Sequence, residues 1–201
     1  MSEFAKASSE DSANATMLPA TKLLIRGRND ITGYYGPPSE SGVAEYILRP
    51  DPILSTPCTL RLSPIFSPDG QFVCLVRDSP DLPIILKRTD SGEIYREIPC
   101  TDAHSVDFSP LGSYLVTWSP RSSLRSESET PNLKIWNTET GEAVCGYVQK
   151  KNRKDTIQWT DDEGYFFKLV TNEVQIFSGS AINEGIKGRI QCKSVSQFKT
   201  R

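Results

Sequence analysis

No stretch of this sequence repeats its apolar residues at helical spacing, and prolines and β-branched residues sit where such a stretch would have to run. A helical bundle is therefore excluded. No run approaches the roughly 18 apolar residues that a membrane span needs, so no membrane partner is expected. No charge of one sign dominates. The net charge of −2 argues against a chain-wide electrostatic grip on nucleic acid and leaves room only for a local basic patch. The opening MSEFAKASSEDSANATMLPA has no charged start followed by an apolar core, so it is no secretory signal. Glu3, Glu10 and Asp11 also fit a mitochondrial presequence poorly. Small and polar, residues 1–20 read as a disordered tail.

Residues suited to metal or nucleophile chemistry are equally scarce. His104 is the single histidine. Cys100 and His104 could form half a metal site, but no second ligand pair stands at zinc-like spacing, so no metal is expected. The better reading of His104 is structural, its ring holding a turn by hydrogen bonds. No glycine-rich phosphate loop appears, and no cofactor is expected. The five cysteines, at 58, 74, 100, 145 and 192, form no C-x-x-C pair. An odd count on strand-like segments reads as buried, reduced thiols in a cytoplasmic protein. Asn14 begins an N-x-T match that, without a secretion signal, should carry no glycan.

What is present is a repeat. SPIFSPDGQFVCLV, SVDFSPLGSYLVTW and TIQWTDDEGYFFKLV align. Each has an apolar-alternating run closing on an aromatic (Phe66, Phe108, Trp159) and then a polar turn with glycine (Gly70, Gly112, Gly164). A second apolar run follows. The anchors lie roughly 40 to 50 residues apart, and the polar insertion SPRSSLRSESETP lengthens the second interval. The second half of each unit recurs too, in LPIILKRTDSGEIYREIP and PNLKIWNTETGEAVCGYV, with turns at Asp90–Gly92 and Glu139–Gly141. NEVQIFSGSAINEGIKGRIQ is a looser third copy. Four short strands per unit, at this period and with IWN on the third strand, mark a WD-type propeller blade.

The expected fold is all-β, an incomplete WD-repeat β-propeller occupying residues 21–201. A leading partial blade covers 21–57, where TKLLIRGRNDITGYYG and AEYILR are strand-like. Blades follow at about 58–100, 101–149 and 150–192. Residues 193–201 read as the start of a further blade, with Phe198 in the aromatic place. A blade needs neighbours on both faces, and closed propellers typically use 4 to 8 of them. The chain thus reads as a truncated form or a fragment. An open arc exposes blade faces and strand edges, which invites association.

The run PNLKIWNTETGEAVCGYVQKK, with SVDFSPLGSYLVTWSP before it, LLIRG…GYYGPP at the entry and NEVQIF later, resembles the N-terminal part of the eukaryotic translation initiation factor 2A family. The resemblance covers nearly everything from Thr21 to Arg201. It implies a many-bladed propeller, followed in that family by a basic helical tail that has no counterpart in this sequence. It also implies a non-enzymatic role in translation initiation: contact with the small ribosomal subunit, delivery of initiator methionyl-tRNA on certain mRNAs, and work beside other initiation factors. The nearest rival within translation is the propeller subunit of initiation factor 3, but nothing resembles the RNA-recognition domain that precedes that propeller. The rival of a different class is a generic WD-repeat scaffold for protein–protein interaction without a direct RNA role.

The acidic DDEG at Asp161, Asp162, Glu163 and Gly164 occupies the repeat position of SPDG and SPLG, so a hairpin turn is the simpler reading than a metal or acid–base pair. The densest positive segment is QKKNRKD, between the second and third blades. Its Lys150, Lys151, Arg153 and Lys154 are the candidate ribosome or RNA contact, through phosphates and with affinity falling as salt rises. No aromatics are interleaved there, so stacking on unpaired bases is not expected. Trp118, Trp136 and Trp159 occupy strand positions and read as blade packing.

Overall fold

The computed structural model describes residues 22–36, 49–79, 81–120, 130–150 and 156–193. Its hairpins follow from turn chemistry that recurs with small changes. In the first repeat the Gly70 amide donates to the Ser67 carbonyl at 2.8 Å and the Ser67 hydroxyl accepts from the Phe72 amide at 2.9 Å. Asp69 accepts from the Ser67 hydroxyl and the Gln71 amide. Gly70 sits at φ +71°, a conformation that costs other residues about 1–2 kcal/mol. In the second repeat Ser109, Tyr114 and Gly112 make the same bonds, and Leu111 stands where Asp69 did. The carboxylate is thus dispensable, and the serine and the left-handed fourth residue define the turn.

These turns fold the chain into one three-stranded and three four-stranded antiparallel sheets. The leading sheet holds β1 (Lys22–Arg26), β2 (Ile31–Tyr35) and β3 (Arg49–Thr56). The first four-stranded blade is β4 (Ile65–Phe66), β5 (Phe72–Leu75), β6 (Ile84–Arg88) and β7 (Ile94–Ile98). The second is β8 (Ser105–Phe108), β9 (Tyr114–Trp118), β10 (Leu133–Asn137) and β11 (Ala143–Tyr147). The third is β12 (Ile157–Trp159), β13 (Tyr165–Leu169), β14 (Glu173–Ser178) and β15 (Ile186–Gln191), with a 3-10 turn at Ile182–Glu184 before β15. Within every blade the strands pair in chain order. A register shift precedes each turn between third and fourth strands, at Leu86/Lys87, Ile135/Trp136 and Ile176/Phe177. The positive-φ glycines 92, 141 and 185 belong to those turns.

The expected incomplete propeller is what the strands build. Of the entry segment AEYILR only Arg49 is described, and it opens β3 rather than closing a strand. Residues 1–20, 194–201 and most of the Ser119–Pro131 insertion lie outside the described residues.

The cores lie between sheets. Ile31 and Leu54 of the leading sheet pack with Val73, Leu75 and Ile85 of the first blade. Ile84, Leu86 and Ile98 pack with Val106, Leu115 and Trp136 of the second. Ile135 packs with Trp159, Phe166, Phe177 and Ile182 of the third. Trp136 is buried and its indole donates to the Thr117 hydroxyl at 2.8 Å; Trp159 is also buried, and Trp118 is only partly so. The thiols divide as well. Cys74 and Cys100 are buried as expected, Cys58 and Cys145 are half-buried, and Cys192, just past β15, is exposed.

One correction concerns the third turn. Gly164 aligns there in the sequence, but the left-handed residue is Glu163, at φ +55°. Thr160 supplies the hydroxyl that Ser67 and Ser109 supply elsewhere, accepting from Tyr165 at 3.0 Å. Glu163 holds this costly conformation with a buried carboxylate that accepts from the Leu111 amide of the second blade at 2.8 Å. In the first two blades Thr89 and Thr138 close over the turn, their hydroxyls donating to the carbonyls of Gly70 and Gly112. The third blade has Gly179 at that point, where a Cβ would fall 1.7 Å from the Glu163 carbonyl oxygen. Only glycine fits beside a turn displaced this way.

Gly179→Ala is therefore expected to lower Tm at least twice as far as Gly70→Ala. The latter adds a Cβ in open space and suffers only its positive φ, about 1–2 kcal/mol. Thermal unfolding followed by circular dichroism compares the two.

Candidate functional site

The blades have two ends with different chemistry. At one end lie the tight turns around Asp69, Gly112 and Glu163. At the other, the longer connections leave second strands and enter first strands, and Lys150 lies there. Of the four candidate contact residues only Lys150 is described, and it is exposed; Lys151, Arg153 and Lys154 lie outside the described residues.

The root of this segment is fixed. The Asn132 side chain donates to the Gln149 carbonyl at 2.9 Å and to the Ser119 carbonyl at 2.7 Å, and its own carbonyl accepts from the Gln149 amide at 2.7 Å. The Trp118 indole also donates to the Gln149 carbonyl, at 3.3 Å. One asparagine thus ties both stems of the Ser119–Pro131 insertion to the residue before Lys150. At the far root Thr156 is buried, and its carbonyl accepts from the Leu169 amide at 3.0 Å.

A further cation escapes the sequence reading. Lys168 lies on β13 opposite Ile157, and only 6% of its surface is exposed. Its ammonium stands 5.2 Å from the centre of the Tyr147 ring of β11. Burial pulls its pKa below the ordinary lysine value, and Glu173 opposes the shift. Burial also pushes up the Tyr147 phenol and the Cys145 thiol. A signal for Lys168 exists: in YFFKL the lysine sits two residues after the inward-facing Phe166 and must face the same way.

Elsewhere the polar groups cap turns. Asp162 accepts from the Thr160 hydroxyl at 2.6 Å and the Gly164 amide at 2.9 Å, and these bonds lower its pKa. The His104 ring nitrogen lies 2.9 Å from the Asp102 carbonyl oxygen, within its own turn. No group of three metal-ligating side chains occurs among the described residues. A polar groove of about 240 Å³ opens between the first and second blades at the tight-turn end, lined by Asp69, Phe72, Tyr95, Asn137 and Glu139 among others.

No family model matches this chain. Over 133 residues, 66% of its length, it is 30% identical to eukaryotic translation initiation factor 2A of Schizosaccharomyces pombe, covering 23% of that protein. Over 137 residues, 67% of its length, it is 28% identical to the factor of the same name from Dictyostelium discoideum, covering 22% of that protein. A component of eukaryotic translation initiation factor 3 from Neosartorya fischeri is 24% identical over 127 residues, 52% of this chain and 17% of that protein. The matches therefore span less than a quarter of each relative. A crystal structure of a eukaryotic initiation factor superposes with a TM-score of 0.71 at 24% identity, over 90% of this chain and 42% of that one. At that identity the superposition speaks for the fold alone.

Lys168 gives the site a measurable signature. Its lowered pKa means that the folded state holds the proton less tightly than the unfolded chain does. Folding is penalised at neutral pH, and the penalty lifts as pH rises through the lowered value toward the ordinary lysine value, about 10.4. Lys168→Met should raise Tm at pH 7, with the gain shrinking steadily as pH approaches that value. Melting curves at several pH values check this.

Proposed function

We infer that this chain, a relative of eukaryotic translation initiation factor 2A, serves translation initiation as a binding module that meets the small ribosomal subunit. The observation carrying this reading is the 30% identity to that factor across two-thirds of the chain, in a sequence whose strands form the same repeat that carried the resemblance. Delivery of initiator methionyl-tRNA and contact with mRNA are the finer parts of the proposal.

The contact surface we assign is the end of the second blade that carries Lys150, Lys151, Arg153 and Lys154. Its support is physical. Phosphates are gripped by cations held in place, and the root of this segment is held by Asn132 and Trp118. The net charge of −2 makes such a patch the local exception in a chain with no general affinity for polyanions. The groove near Asp69 and Glu139 favours the second reading, a scaffold that docks proteins, because it is polar and lined by carboxylates that would repel phosphate.

Co-sedimentation with purified small subunits at low and moderate salt separates the readings. Reversing the charge of Lys150, Lys151, Arg153 and Lys154 together should weaken association roughly tenfold or more and flatten its salt dependence. Undiminished, salt-sensitive binding by that variant would remove the site assignment. Absence of binding by the unaltered chain would remove the ribosomal reading and leave the scaffold.

A further inference from the structure

Two of the three boundaries between successive sheets are bridged over one backbone carbonyl at the tight-turn end, and the third is not. Lys22, Phe72 and Tyr114 hold matching places, each pairing with the last residue of the strand that follows: Tyr35, Arg88 and Asn137. The leading strands β1, β2 and β3 therefore match the second, third and fourth strands of a blade. Their packing agrees. A Cβ on Gly92 would lie 2.6 Å from the Ile53 carbonyl oxygen of β3, and one on Gly141 would lie 3.2 Å from the Glu97 carbonyl oxygen of β7. The carbonyls in question belong to Thr89, Thr138 and Gly179, which directly follow β6, β10 and β14. The Lys22 ammonium donates to the Thr89 carbonyl, and the Tyr114 hydroxyl donates to the Gly179 carbonyl at 3.0 Å. Between the first and second blades the matching place belongs to Phe72, which has nothing to donate.

There the Thr138 carbonyl receives no hydrogen bond among the described residues, although Thr138 is only 8% exposed. A backbone carbonyl so placed ordinarily has a partner. Glycine widens the gap. At the next boundary Glu163, the left-handed residue of its turn, fills the corresponding space with a carboxylate, whereas the same turn position in the second blade is Gly112. The groove of about 240 Å³ between the first and second blades is this space, with Phe72 and Tyr95 on one side and Gly112 and Thr138 on the other. Asp69 and Glu139 add carboxylates to the lining, and the turn bonds of Asp69 are both made through Oδ1. Two guanidiniums lie by the aromatic wall, but both are engaged: Arg88 pairs with Asp90 at 3.2 Å, and Arg96 donates to the Glu139 carbonyl.

We propose that this groove binds a lysine side chain of a protein partner. Its ammonium sits on the Thr138 carbonyl as that of Lys22 sits on the Thr89 carbonyl, and its alkyl stem lies against Phe72. A buried carbonyl screened from water gains most from a charged donor. Charge selects the occupant as well. The Asp69 and Glu139 carboxylates attract an ammonium, whereas an external carboxylate placed as Glu163 is would be repelled by both. The proposal gives the scaffold reading a ligand class and rests on that reading. It is independent of the ribosomal one, whose surface lies at the opposite end of the blades.

Nuclear magnetic resonance of the isotope-labelled 201-residue chain, titrated with the blocked tripeptide glycyl-lysyl-glycine, tests this. Amide shifts should saturate at Gly112, Thr138 and Glu139, and acetylating the peptide's ammonium should weaken binding roughly tenfold or more. That comparison needs no variant to fold. Phe72→Tyr supplies the hydroxyl that Tyr114 carries at the next boundary, so it should weaken binding by a similar factor without lowering Tm. Asp69→Leu installs the residue found at the same point of the second turn, Leu111, and should weaken binding about threefold. The absence of saturable shifts at these amides would overturn the proposal, as would equal binding of the acetylated peptide. Stronger shifts at the same amides with glycyl-glutamyl-glycine would assign the groove to an anion and overturn it too.

Discussion

None of these sheets carries a core of its own. Each hydrophobic cluster is shared by two successive sheets, so a blade buries one face only because its predecessor is there and the other only because its successor is. The alternation of side chains along each strand enforces this. On β10 Ile135 faces the third blade and Trp136 the first, and neither can be satisfied by its own sheet. Stability is therefore distributed along the arc and runs out at its ends, where apolar side chains on the leading sheet and the third blade stay exposed. The same constraint makes a three-stranded leading sheet tolerable. Ile31 and Leu54 still bury against the first blade, although β1 pairs only with β2 among the described residues.

The tight-turn end locks neighbouring blades in register. Glu163 reaches from the third blade to the Leu111 amide, the Tyr114 hydroxyl donates to the Gly179 carbonyl at 3.0 Å, and the Tyr114 and Trp159 rings stack at 5.1 Å. A left-handed glutamate is unfavourable at this position, and the bond across the blade boundary offsets that cost. The opposite end uses side chains, Asn132 and Trp118, to fix where connections leave.

Much of this is legible in the sequence. The pattern of apolar run, aromatic, polar turn and apolar run recurs because each turn needs a hydroxyl acceptor and a left-handed residue, and glycine usually marks the latter. Where the protein departs from that rule the pattern misleads. The third turn has glycine one residue late, so Gly164 aligns in a slot that Glu163 fills. Nothing local marks the difference, because what permits it lies at Leu111 and Gly179, far off in sequence. Lys168 escapes notice because a lysine is assumed to face water, although the strand alternation places it inward. The place of the leading strands within their blade is beyond sequence reasoning, since only contact with the first blade reveals it. The basic segment is visible by composition, and its anchoring by Asn132 is not.

The buried lysine on β13 is the least expected charge in the fold. Lys168 carries its charge at a cost, above the Tyr147 ring of β11. A buried ammonium there raises the local positive potential in a low-dielectric setting, where it is screened far less by salt than the exposed cations are. Burial disfavours its charge and Glu173 favours it, so the ammonium is held by its neighbours rather than by water.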